Sequence, residues 1–124
     1  MNPNKSELIE KYSGYRWLID RGLVGFEPFT ALQPWFFEPQ ERQFFVAEHW
    51  PAGPSEAPLL VFARRQDCDD LACLKAGSGN ALEVVTIQGW TSGGYEIIET
   101  YPTFWEWVKS AIDDVAAWSA LPDR

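Results

Sequence analysis

FARRQDCDDLACL, residues Phe62 to Leu74, runs from the end of one apolar segment, through an acidic centre, into another, and its reading decides the fold. It holds both cysteines, three of the chain's eighteen acidic residues and two adjacent arginines, so a metal site, a redox pair and a turn between strands are all open. A calcium loop of the EF-hand type needs glycine at its sixth position and glutamate at its twelfth; counted from Asp67, those positions are Ala72 and Ser78. Zinc needs about four ligands, and Cys68, Cys73 and the sole histidine, His49, are too few and wrongly spaced. The expectation is therefore a polar turn, Asp67 to Asp70, joining two strands, with no bound metal or other cofactor.

On either side of that turn the pattern is that of a sheet. Leu59 to Ala63 is a continuous apolar run, expected of a strand covered on both faces, and Leu71 to Leu74 is the returning strand. Lys75 to Asn80 (KAGSGN) reads as a second turn, and Ala81 to Gln88 (ALEVVTIQ) is the strongest strand signal in the chain. Trp90 to Gly94 turns the chain again before a further strand at Tyr95 to Tyr101. Upstream, Phe44 to Trp50 (FFVAEHW) reads as a strand that stops at Pro51, before the loop PAGPSEAP. These strands in succession predict a largely antiparallel meander.

Helices are expected at both ends. Leu8, Tyr12, Tyr15 and Ile19 form a helical stripe within Glu7 to Arg21, interrupted at Ser13-Gly14. The following stretch, GLVGFEPFTALQPWFFEPQ, carries three prolines and two glycines and reads as an irregular loop pinned by Phe26, Phe29, Trp35, Phe36 and Phe37. Near the C-terminus Thr103 and Glu106 have capping-box spacing. From Phe104 to about Trp118, residues Phe104, Trp107, Val108, Ala111, Ile112 and Val115 define one apolar helix face, with Trp105, Glu106, Lys109, Asp113 and Asp114 elsewhere.

A length of 124 residues suits one domain, 1–124, with one core. With 46% hydrophobic residues and seven tryptophans, the composition is that of a folding chain and not of a disordered one. No apolar run reaches the roughly 20 residues that span a bilayer, and the polar start MNPNKSELIEKY lacks a signal core, so the expectation is a cytoplasmic protein that does not enter a membrane. Two cysteines in a domain of this size make no disulfide framework. Ten basic against eighteen acidic residues leave a net charge of −8, spread over both halves of the chain. Such a surface repels phosphate backbones and attracts a basic protein, so a protein partner is expected and nucleic acid is not.

Candidate catalytic groups are weak. His49 stands between Glu48 and Trp50 with no nucleophile motif, and pairs such as Glu96 with Glu99 or Asp113 with Asp114 are what any acidic chain offers. The turns GSGN and TSGG match no phosphate-binding fingerprint. Trp107 belongs to the core face of the last helix, whereas Trp105 points about 100° away and is a candidate exposed anchor.

Taken together, the apolar strand ending in Phe62-Ala63, the turn Asp67 to Asp70 feeding Leu71 to Leu74, the strand at Val84 to Ile87, the closing Thr103-Phe104-x-x-Trp107 and the early Tyr15-Arg16-x-Leu18-Ile19 resemble the SUKH superfamily over most of the chain. That group includes bacterial immunity proteins of toxin systems and fungal cell-wall regulators. The sequence departs from the family pattern in lacking the long leading helix and in its lone Gly22. The resemblance implies an α+β domain, a curved sheet with helices, that binds and does not catalyse. It implies an immunity protein that neutralises a cognate toxin domain; a scaffold domain and a small hydrolase using the acidic turn are the alternatives. The expected contact residues are Trp105, Glu106, Asp113 and Asp114 on the last helix, and Trp35, Phe36 and Phe37 in the aromatic loop.

Overall fold

A computed structural model describes residues 4–22, 34–51, 53–54, 57–76, 82–92 and 94–120. Its elements are α1 (Lys5–Lys11), α2 (Ser13–Asp20), β1 (Trp35–Phe37), β2 (Phe44–Phe45), α3 (Val46–His49), β3 (Leu59–Arg65), β4 (Asp70–Lys75), β5 (Val84–Thr91), β6 (Gly94–Tyr101) and α4 (Phe104–Ser119), with a 3-10 turn at Gln40–Arg42.

The acidic segment does join two strands. β3 and β4 pair antiparallel, with Leu60 opposite Leu74 and Arg64 opposite Leu71, and the meander continues through β5 to β6. Between Val61 and Ala63 the register shifts, so that Phe62 and Ala63 both enter the core on the helix side of the sheet. Arg65 fixes the turn: its Nε and Nη2 donate to the two carboxylate oxygens of Asp67, each at 2.8 Å. Cys73 is buried and Cys68 is exposed, and both are free thiols.

Two expectations near the first strands are corrected. Trp35 to Phe37 is not irregular: it is β1, paired with Ala63 to Arg65 along the outer edge of β3. On the same edge β2 pairs only with Leu60 and Val61, and the strand expected over Phe44 to Trp50 ends after two residues. Glu48 then folds its carboxylate back onto the Phe45 amide at 2.6 Å, Trp50 donates to the Val46 carbonyl at 2.9 Å, and the chain closes one helical turn, α3. β-propensity is overridden here by the helical turn that these hydrogen bonds close. Phe26 and Phe29, and most of the KAGSGN turn, lie outside the described residues.

The sheet is apolar on both sides. On one side Phe37 and Phe62 of the sheet meet Tyr12, Tyr15, Phe104 and Trp107 of the helical segments; on the opposite side Val61, Leu71, Cys73, Val85, Ile87 and Tyr95 lie under Val46, Phe44 and Trp50. This two-sided burial accounts for the unbroken apolar reading of Leu59 to Ala63. β5 is two-sided in the same way but begins at Val84 and continues to Thr91, with Trp90 in the left-handed region (φ 55°) at an irregularity where a plain turn was expected. The exposed Trp90 ring leans edge-on against Trp50 at 5.2 Å.

The N-terminal stripe splits as expected, but at Tyr12 (φ −94°, ψ 85°) and not at the glycine. The Tyr12 side chain is buried, and its hydroxyl accepts from the Lys75 amide at 3.0 Å and contacts the carbonyls of Lys75 and Glu83. Burial pushes the Tyr12 hydroxyl pKa up to about 12, so it stays protonated. Asn4 caps α1 by accepting from the Ser6 amide at 2.8 Å. Thr103 caps α4 by accepting from the Glu106 amide at 3.2 Å, while the Glu106 carboxylate goes forward to Lys109 at 3.3 Å, so only half of the expected capping box forms. The result is an α+β fold, a single small domain with helices near both ends and an antiparallel sheet of six strands in which β1 and β2 share one edge.

Candidate protein-binding face

α4 rests on the sheet through Phe104, Trp107, Val108 and Ala111. Its residues step by about 100°, which places Trp105 and Ile112, seven residues and about 10 Å apart along the axis, on the same flank of the helix and not under it. Ile112, expected in the core, is 52% exposed, and Trp105 is 44% exposed. The apolar stripe of this helix is wider than the sheet can cover.

A second tryptophan joins them across the helix pair. Trp17 of α2, 46% exposed, meets Trp105 edge-on with ring centroids 6.4 Å apart. Gly14 allows this approach, since a Cβ there would lie 2.8 Å from Trp105 Nε1 and 3.0 Å from a Phe104 ring carbon. Over the Trp17 ring lies the Arg21 guanidinium, 3.8 Å from its centroid. Trp17, Trp105 and Ile112 thus form an exposed apolar row along α2 and α4. Glu106 and Asp113, both exposed, continue the α4 surface about 100° further round, with Lys109 between the two edges.

The remaining expected contact residues are placed elsewhere. Asp114 is held inward: its carboxylate accepts from the Trp35 indole N–H at 2.8 Å and lies 3.4 Å from Arg65, which also grips Asp67. Trp35 and Phe37 are buried against Trp107, and Phe36 is half-buried on β1, so none of the three forms a projecting aromatic loop. Asp114, Trp35, Arg65 and Asp67 form a strut that ties α4, β1 and the acidic turn together. The hydrogen-bonded Arg65 holds the Asp67 carboxyl below its ordinary range. Burial pushes Asp70 up against the pull of Arg65.

His49 packs edge-on against Phe44 at 4.4 Å on α3. Among the described residues no group of His, Cys, Asp and Glu side chains is arranged to hold a metal ion, and no helix is long and apolar enough to cross a membrane. Sequence reasoning missed Trp17 and Ile112. The seven-residue spacing from Trp105 pointed to Ile112, but the meeting of Trp17 with Trp105 depends on how α2 crosses α4, which no local pattern records. No protein family matches the chain, and no curated protein or solved structure matches it at a significant level.

Proposed function

We propose that this chain is a cytoplasmic protein-binding domain of the immunity type, which binds a basic toxin domain and blocks it without chemistry of its own. The observation that carries the reading is the exposed row Trp17, Trp105 and Ile112, with Glu106 and Asp113 beside it. Two tryptophans held at a fixed angle offer a large contact area at small entropic cost, as binding anchors do. The acidic flank and the net charge of −8 speed encounter with a cationic partner, while the aromatic pair sets the lifetime of the complex. The specific role of immunity comes from the resemblance to the SUKH superfamily. A small hydrolase using the acidic turn is the alternative reading, in which Asp69 and Asp70 would have to carry the chemistry, since Asp67 is paired with Arg65.

Co-purification from the native cell with mass spectrometry tests this reading, followed by kinetics with the purified partner. The expected result is one toxin partner whose activity falls on binding. Its association should slow with salt and with Asp113→Asn, and its dissociation should quicken with Trp17→Ala or Trp105→Ala. Several housekeeping partners, or rates indifferent to all these changes, would overturn it in favour of a scaffold or another face.

A further inference from the structure

The two edges of the sheet are treated differently. On one side the outer edge of β3 is occupied by β1 and β2; on the other, among the described residues, no strand pairs with the outer edge of β6. β6 is eight residues long and contains no proline, and its two glutamates and its bulge are devices that discourage an open edge from pairing with its like. Ile97 and Ile98 are 45% and 50% exposed, and Glu96, Glu99 and Thr100 are exposed with them.

The register shows what such an edge would accept. Glu96 stands opposite Gln88 and Glu99 opposite Thr86, whereas Ile97 stands opposite Ile87 and Ile98 is the extra residue of the irregularity between them. Side chains alternate along β5, where Val84 faces the helix side and Val85 and Ile87 the other. Glu96 and Glu99 therefore share the helix side of the edge, and Ile97 lies on the opposite side. The bulge keeps both carboxylates on one face although they are three residues apart, an odd spacing that an even strand would split between faces.

We propose that β6 is a docking edge for an extended strand of a second, cationic protein, one that alternates lysine or arginine with aliphatic residues. Main-chain hydrogen bonds to β6 would extend the sheet; the cations would meet Glu96 and Glu99 on one face, and the aliphatic side chains would cover Ile97 on the other. A second copy of this chain is the poorer occupant, because antiparallel β6 pairing about Ile97 and Ile98 sets Glu96 of each copy opposite Glu99 of the other, like charge against like. The proposal concerns a face separate from Trp17 and Trp105 and stands whether or not that face is used.

The test uses the full chain and a capped heptapeptide alternating lysine with valine, followed by titration and by amide hydrogen exchange. Expected are saturable binding, slowed exchange confined to β6, and at least tenfold weaker binding for the paired variant Glu96→Lys with Glu99→Lys. Replacing the peptide's lysines by glutamate should weaken binding by a similar factor for the natural chain and restore it for that variant. Trp17→Ala with Trp105→Ala should leave peptide binding unchanged, so failure here and failure of the α2–α4 reading are told apart. No saturable binding, protection on α2 and α4 in place of β6, indifference to the charge reversals, or a dimer of the chain alone protected at β6 would each overturn the proposal.

Discussion

Asp113 and Asp114 are neighbours with the same side chain, and replacing each by alanine should give very different results. Asp113 is exposed, and its loss should change stability by no more than about 0.5 kcal/mol. Asp114 accepts the Trp35 indole N–H at 2.8 Å, a hydrogen bond to a charged group, of a kind that contributes about 1.5–3 kcal/mol. Its approach to Arg65 at 3.4 Å, with side chains 22% and 32% exposed, adds between about 0 and 1 kcal/mol after screening. Asp114→Ala should therefore cost about 1.5–4 kcal/mol, and Asp114→Asn less, because an amide oxygen can still accept from the indole. In urea, with a slope of about 1–3 kcal/mol per molar, the alanine variant should lower the midpoint by roughly 1 M with the slope unchanged. A double-mutant cycle of Asp114→Ala with Trp35→Phe should show a coupling of about 1 kcal/mol or more. Equal midpoints for the Asp113 and Asp114 variants, or no coupling to Trp35, would refute the strut.

Trp107→Ala should cost about 3–5 kcal/mol in the same melts, since the ring is buried among Trp35, Phe37, Phe62 and Phe104, whereas Trp105→Ala should cost clearly less. Burial raises the Glu38 carboxyl above its ordinary value of 4.5, against the pull of Arg64 and Arg42, so the folded state binds this proton more tightly than the unfolded state. Its stabilising contribution is full below the unfolded value and is lost as pH rises through the folded one. Relative to Glu38→Gln, the natural chain should therefore gain stability as pH falls from neutrality toward 4.5, and melts over that range check the sign. A thiol reagent should modify Cys68 in the folded chain, faster as pH rises because burial and the neighbouring Asp70 and Asp67 carboxylates raise its thiol, and should reach Cys73 only on unfolding, because Cys73 is fully buried. Rapid modification of both would place the opposite face of the sheet in solvent.

The sequence alone determined the elements whose pattern is local and strongly periodic. The strands on either side of Asp67 to Asp70 and the strand around Val84 to Ile87 carry unbroken apolar runs, and the helix from Phe104 carries its own apolar stripe and N-cap, so each could be read without knowing its neighbours. The exposure of Trp105 followed from the same helical arithmetic. Tertiary structure decided what depends on competition and meeting. Phe44 to Trp50 has strand composition, but only Phe44 and Phe45 pair with β3, beside β1, and the Glu48 carboxylate closes the rest of the segment into α3. Asp114 differs from Asp113 only because the 100° step points one carboxylate at Trp35 and Arg65 and the other at water. Trp17 became part of an exposed row because Gly14 lets Trp105 approach α2, a contact between residues about ninety positions apart that no short-range pattern encodes.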